Sequence, residues 1–298
     1  MSAATVTPVA VPVAPMLEAG DKIGPYILTG YTLFDDNGCR IEEAVCPGTD
    51  KLWALKIKAD NHYDIRYVKK LRGYCIRNVV DVPVEEEAFS GTLDDGRLWY
   101  AMRCYDRQVA SDEWSRQRWQ QVATDVLQFL EDFHIKLRLA HLDIKTYNIL
   151  YDADADCFRV CDFEHVTESE DFEIDEPLRT YDAYHRWYYT MLGGDPDQPY
   201  ESFRMDLEAL GFVLSMLTWP AGESAQFLFE CERRMNGGGT AGITESEVVM
   251  LRNKEIAENA PPVLLQYYCG IEELAWTAAE PPPAEFYQNL KALFTAET

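Results

Sequence analysis

Eight consecutive residues, His141-Leu142-Asp143-Ile144-Lys145-Thr146-Tyr147-Asn148, set a carboxylate, an amine and a carboxamide within six positions of one another. A second carboxylate, Asp162, follows Asn148 by fourteen residues in the string V-C-D-F-E, and Lys56 stands earlier in A-L-K-I. Transfer of a phosphoryl group from Mg-ATP to a hydroxyl asks for such a set. One carboxylate orients the attacking hydroxyl or accepts its proton, a carboxylate and an amide oxygen hold Mg²⁺, and a lysine fixes the α/β-phosphates. Little covalent chemistry falls to the protein, so the placement of charges is most of the work.

The elements that must place these groups change character along the chain. P-Y-I-L-T-G-Y-T-L-F is rich in β-branched and aromatic residues, D-D-N-G (Asp35 to Gly38) signals a turn, and C-R-I-E-E-A-V, a Pro47-Gly48 turn and K-L-W-A-L-K-I-K follow. Two hairpins in succession make an antiparallel meander. A short helix fits 62–72, and two further strands fit V-V-D-V-P-V-E-E-E-A-F-S and R-L-W-Y-A-M-R-C-Y, with a turn at Asp94 to Gly96. After Asp106, Trp119, Val122, Val126, Leu130 and Phe133 recur at helical spacing, which predicts an amphipathic helix over 112–135. Short strands fit 149–151 and 158–161, Leu207, Leu210, Leu214 and Leu217 mark a buried helix, and helices fit 245–259, 262–276 and 284–295. The fold class expected is α+β: a small five-stranded antiparallel β lobe with one helix (about 22–105) and a larger, mainly helical lobe (about 106–298). In a two-lobed molecule a ligand site is expected where the lobes meet.

Taken together, H-x-D-x-K-x-x-N, the second Asp, the strand lysine and their order resemble the protein-kinase fold. The resemblance implies Asp143 as catalytic base, Asn148 and Asp162 as Mg²⁺ ligands, Lys56 as phosphate anchor and Lys145 as the serine/threonine-type lysine on the γ-phosphate. Met102 falls at the family's gatekeeper position, with Arg103 to Tyr105 as hinge; core packing explains Met102 equally well. Downstream, T-M-L-G-G and F-R-M-D-L-E-A-L-G-F-V-L (Phe203 to Leu214) are similar to the casein kinase 1 and vaccinia-related kinase group, which also lacks A-P-E. In that group the residue at Asp206 ties the catalytic-loop backbone to a core helix. The implied activity is transfer of the ATP γ-phosphate to Ser/Thr of a protein, with ATP and Mg²⁺ as cofactors. The competing class is a pseudokinase that keeps the fold as a binding or scaffold module.

Four departures bear on that choice. Counted back from Ile41 and Ala44, the three glycine positions of the phosphate-cradling loop hold Phe34, Asp36 and Cys39, and only Gly38 lies inside. Glycine lets backbone approach phosphate, whereas an aspartate there repels it by ~1 kcal/mol or more at short range. Gly30 would serve in a shifted register. The glutamate that pairs with the strand lysine is represented by Asp64, one methylene shorter and only eight residues after Lys56; the alternative is that Asp64 is a helix N-terminal charge. Leu142 replaces an arginine, which removes a basic pocket for an activation-loop phosphate. Glu164 replaces the glycine after Asp-Phe, and D-F-E also resembles the choline and aminoglycoside kinases, which act on small molecules. The compact form and eroded loop suit a large-DNA-virus member of the group. His141 reads as a hydrogen-bonding residue beside the base rather than as an acid–base catalyst.

The 298 residues carry 51 acidic and 27 basic side chains, a formal net charge of −24. Such a balance argues against a nucleic-acid footprint and against docking on anionic membrane. The eight cysteines are scattered, with no C-x-x-C pair. Reduced thiols in cytoplasm or nucleus are therefore expected. Residues 1–21 read as an Ala/Val/Pro-rich flexible leader without signal-peptide character. The run Arg66, Lys69, Lys70, Arg72 and Arg77 reads as a solvated helix face or as a surface for an acidic partner.

Part of the negative excess is concentrated. Residues 164–176 contain seven acids (Glu164, Glu168, Glu170, Asp171, Glu173, Asp175 and Glu176) and no Lys or Arg. It reads as a solvated charge run or as an attractor of basic substrate peptides. On the second reading, matched peptides in a phosphorylation assay should show preference for the basic member; preference for the acidic one would refute it.

Overall fold

The computed structural model describes residues 17–36, 38–49, 51–59, 62–110, 112–168, 202–218, 258, 260–274 and 280–295. Residues 1–16, the acidic stretch beyond Glu168, the T-M-L-G-G string, the triple glycine 237–239 and nearly all of the helix expected over 245–259 lie outside them. The described elements form an α+β protein that divides into two units, 1–62 with 82–104 and 63–81 with 105–298.

The first unit is built on a six-stranded antiparallel sheet of order β1-β2-β3-β4-β6-β5. Its strands are β1 (Lys22–Ile23), β2 (Tyr26–Asp36), β3 (Cys39–Val45), β4 (Leu52–Lys58), β5 (Ser90–Thr92) and β6 (Leu98–Arg103). The predicted meander is present, but the sheet has six strands instead of five. The extra one is β1, which pairs Lys22 with Ile27 and Ile23 with Tyr26. Two residues at the end of the stretch expected as a leader are tied to β2: Gly20 donates its N–H to the Leu28 carbonyl (2.9 Å) and Leu28 donates to that of Asp21 (2.9 Å).

Alternation explains the sheet's core. Ile23, Tyr26, Leu28, Ala44, Leu55, Ile57, Trp99 and Ala101 form one buried cluster. Tyr26 lies edge-on to Trp99 at 6.1 Å and tilted to Trp53 at 5.8 Å. Its buried hydroxyl donates to the Ala88 carbonyl (2.7 Å), which satisfies it and holds helix α2 (Glu86–Phe89) against the sheet. The strand expected over 79–90 is therefore mostly not a strand: only Ser90–Thr92 forms one, opposite Leu98 to Tyr100, while Val79 makes an isolated bridge to Val160. Pro83 cannot donate to a ladder, which favours the irregular path before α2.

In the second unit, α1 (His62–Arg72) coincides with its predicted span. The helix expected over 112–135 is two, α3 (Glu113–Gln117) and α4 (Trp119–Leu137), separated at Arg118. Asp112 caps α3 by accepting the Ser115 N–H (2.8 Å). Helix α4 buries Val122, Val126, Phe129, Leu130 and Phe133 and packs against α5 (Ser202–Thr218), α7 (Ala284–Thr295) and strand β10. Helix α6 (Pro262–Glu273) packs on α5 and α7. The same unit contains a three-stranded sheet of β7 (Arg107–Gln108), β9 (Ile149–Asp152) and β10 (Cys157–Val160), and a two-stranded pairing of β8 (Leu139–Ala140) with β11 (Thr167–Glu168). No helix among the described residues is long and apolar enough to cross a membrane, and no disulfide joins the described cysteines.

Two carboxylates of α4 fasten this unit and respond to pH in opposite senses. Burial raises the Asp125 carboxyl from its ordinary 3.8 to about 6, against hydrogen bonds from Phe158 N–H and the Asn78 amide. Burial acts the same way on Asp132, but bonds from the Arg77 side chain and backbone and from Lys136 outweigh it and hold Asp132 at about 2. A raised acid binds more protons folded than unfolded, so the Asp125 contribution is complete below about 4 and is lost as pH rises through 6. The Asp132 contribution is complete above about 4 and is lost as pH falls through 2. In urea unfolding followed from pH 2 to 7, Asp125→Asn should flatten the slope between pH 4 and 6, and Asp132→Asn the slope below pH 4. A wild-type profile unchanged by either substitution would contradict both assignments.

Candidate functional site

The loop from His141 to Asn148 is held by its neighbours more than by its own backbone pairing. Asp206, on α5 and fully buried, accepts the N–H of His141 at Oδ2 (2.6 Å) and the N–H of Leu142 at Oδ1 (2.7 Å). Charge-assisted bonds to backbone N–H groups are among the stronger ones available in a dry interior. They hold Leu142 at φ +60°, a left-handed conformation that costs a leucine roughly 1–2 kcal/mol. Leu142 itself is buried and packs with Ala140 and Phe203, where the resembling family carries an arginine.

With the backbone set this way, three polar side chains converge. Asp143 is 1% exposed. Its Oδ2 accepts from the Asn148 amide (2.8 Å) and lies 3.0 Å from the Lys145 ammonium. Asn148 also donates to the Asp143 carbonyl (2.9 Å), which closes the loop upon itself through a 3-10 turn, Thr146–Asn148. Because its NH₂ group is committed twice, the Asn148 carboxamide oxygen is the atom left to meet a hard cation.

His141 is a structural hydrogen-bonding residue, as expected. Its Nδ1 accepts the Asp143 N–H (3.2 Å), so Nε2 carries the proton and donates to the Cys161 carbonyl (3.1 Å). Burial lowers its pKa, which keeps the ring neutral. The ring packs edge-on against Phe163 at 5.4 Å and Phe129 at 5.9 Å. It therefore couples loop 141–148 to the V-C-D-F-E segment.

That segment is anchored from the other side by Asp64. The Asp64 carboxylate accepts the Phe163 N–H (2.8 Å) and is 1% exposed. It is not a solvated helix N-terminal charge. The preceding residue, Asp162, has φ +66°, a region that aspartate tolerates better than most residues. Oxygen atoms of Asp64, Asp162 and Glu164 lie within 4.8 Å of one another. Glu164, named from the sequence as a lost glycine, is thus also a member of an acidic group. The sequence marked its departure without indicating that grouping, since 64 and 164 are a hundred positions apart.

Lys56, Met102 and Gly38 belong to the first unit. Lys56 is 4% exposed on β4, paired with Ile41 and Tyr100. Met102 is buried on β6 opposite Ala54. Gly38 has φ +77°, and a Cβ there would meet open space. Strands β2 and β3 stay paired up to the tip, through Phe34↔Ile41, Asp35↔Arg40 and Asp36↔Cys39. Gly30 does not substitute for a tip glycine. It sits where the β2–β3 register shifts, and a Cβ on it would come 2.7 Å from that of Ala19. Behind the tip, buried Glu42 is paired with Arg40 and accepts from Thr32 (3.1 Å), which stiffens the hairpin.

The sequence matches no protein-family model, and no curated protein matches it.

Asp206→Ala would leave three buried donors, the N–H groups of His141 and Leu142 and the His134 ring, without their acceptor, at about 1–3 kcal/mol for each orphaned group. Chemical denaturation should show a loss of at least that size, and a loss below about 0.5 kcal/mol would mean that the loop is held otherwise.

Proposed function

We propose that the chain is a protein serine/threonine kinase of the casein kinase 1/vaccinia-related type, with the two-lobed kinase fold, that passes the γ-phosphate of ATP to a hydroxyl of a basic protein substrate. The observation that carries this reading is the convergence of Asp143, Lys145 and Asn148 in one loop whose backbone is pinned by Asp206. In this reading Asp143 accepts the substrate hydroxyl proton at a carboxylate oxygen as the oxygen attacks phosphorus. Lys145, paired with Asp143 before substrate arrives, balances charge on the transferred group. Lys56 is assigned to the α/β-phosphates. Asn148 Oδ1 and the Asp162 carboxylate are hard oxygen donors of the kind Mg²⁺ takes, and Asp64 and Glu164 enlarge that acidic group. When bound, Mg²⁺ would supply charge neutralisation on the phosphates. A lysine two residues after the base and the Asp206 helix pattern favour a protein kinase over the choline- and aminoglycoside-kinase reading.

A pseudokinase acting as a binding or scaffold module is the second reading, favoured by the hairpin tip. Pairing through Asp36↔Cys39 engages backbone groups that a phosphate would otherwise use, and Asp35 and Asp36 are exposed there.

Thermal melting with and without Mg-ATP, together with phosphate transfer to a basic protein, separates the two. For the kinase, Mg-ATP should raise the melting temperature, and Asp162→Asn should abolish both the shift and the transfer. Asp143→Asn should keep the shift and lower kcat by roughly 10²–10⁴, the usual worth of a positioned base. A wild-type protein that neither shifts nor labels would leave the module reading.

A further inference from the structure

Asp206 receives a third donor whose own support comes from the last described helix. His134, at the end of α4, lies with Nε2 2.9 Å from Asp206 Oδ2 and Nδ1 2.5 Å from the Tyr287 hydroxyl of α7. All three side chains are fully buried. The polarity of the chain follows from elementary chemistry. A carboxylate can only accept, so Nε2 carries a proton toward Asp206; with the ring in its neutral form Nδ1 is a lone pair, and it must be met by a donor. Burial holds the Tyr287 hydroxyl in its protonated form, so it donates. The ring is clamped by Phe203 at 4.9 Å and Tyr287 at 5.8 Å.

We propose that Tyr287 is a positioning residue for loop 141–143, acting through the chain Tyr287 O–H to His134 Nδ1, His134 Nε2–H to Asp206, and Asp206 to the N–H groups of His141 and Leu142. By fixing the His134 tautomer it leaves Asp206 Oδ1 for Leu142, while Oδ2 serves both the His134 ring and His141. Leu142 then keeps its left-handed turn and Asp143 its aim. Without the hydroxyl, Nδ1 is a buried acceptor with no donor. The ring gains by rotating or by moving its proton to Nδ1, and either change withdraws a hydrogen bond from Asp206. Three other contacts of α7 lie away from this chain. Lys291 reaches Glu131 (2.5 Å) and Gln128 (2.8 Å), and Phe294 lies edge-on to Trp119. Leu290 packs on α6, 3.3 Å from where a Cβ on Gly270 would be. The kinetic consequence rests on the kinase reading of Asp143; the structural one does not.

The test compares the full-length chain with Tyr287→Phe and, as a packing control, Leu290→Ala. Amide hydrogen exchange at His141 and Leu142, measured without nucleotide, should speed up by about tenfold or more in Tyr287→Phe. Exchange at Val126 to Leu130 should stay unchanged. Leu290→Ala should lower the melting temperature with no selective change at those two amides. In wild-type protein, ¹⁵N shifts should show His134 as the Nε2–H tautomer. In phosphate transfer, Tyr287→Phe should lower kcat by about tenfold with KM for ATP unchanged. An Nδ1–H tautomer in the wild type, or equal exchange in the two variants, would overturn the proposal. Absence of phosphate transfer by the wild type would instead overturn the kinase reading, and exchange and tautomer would still decide the role of Tyr287.

Discussion

A single buried carboxylate carries much of the geometry of the second unit. Asp206 collects three donors, two from adjacent backbone amides and one from a histidine ring. An ionised carboxylate taken out of water costs several kcal/mol unless its lone pairs are met. Three donors from two different elements meet that cost only if α5, the end of α4 and loop 141–143 are all in place together. The interaction is therefore a registration device. It makes the turn at Leu142 the most favourable path for a residue type that ordinarily avoids positive φ.

The same logic extends outward from the loop. His141 uses both ring nitrogens, one toward Asp143 and one toward the backbone before Asp162. Asp64 then fixes the backbone just after Asp162 from the side of α1. The aromatic rings of Phe129, Phe133, His141 and Phe163 fill the space between. Polar side chains thus sit on an apolar floor, each with its orientation set by a partner of fixed direction. That is the arrangement that preorganised charge requires.

The first unit solves a different problem. Its hairpin stays paired out to Asp36↔Cys39, with a part-buried Arg40–Glu42–Thr32 network behind it. Such a hairpin does not carry the loose, glycine-lined backbone that embraces phosphate closely. Negative charge at Asp35 and Asp36 works in the same direction. The chain combines a loop 141–148 fixed by buried hydrogen bonds with a hairpin paired almost to its tip.

Period and punctuation in the sequence determined most elements. The alternation in 26–34, the span 39–45, α1 at 62–72 and α7 at 284–295 were legible because local hydrophobic pattern and turn residues agree there. Asp143, Lys145 and Asn148 were legible as a group because they lie within one short loop. Residues 79–89 misled, since a run of valines and acids reads as a strand, while packing of Phe89 and the Tyr26 hydroxyl bond favour a helical turn. Only the tertiary structure decided what Asp64 does, that Glu164 stands beside it, and that Tyr287, His134 and Asp206 form one chain. Those partners are separated by roughly seventy to a hundred and fifty residues. No local propensity links such positions; a hydrogen bond between them exists only after the helices have packed and excluded water.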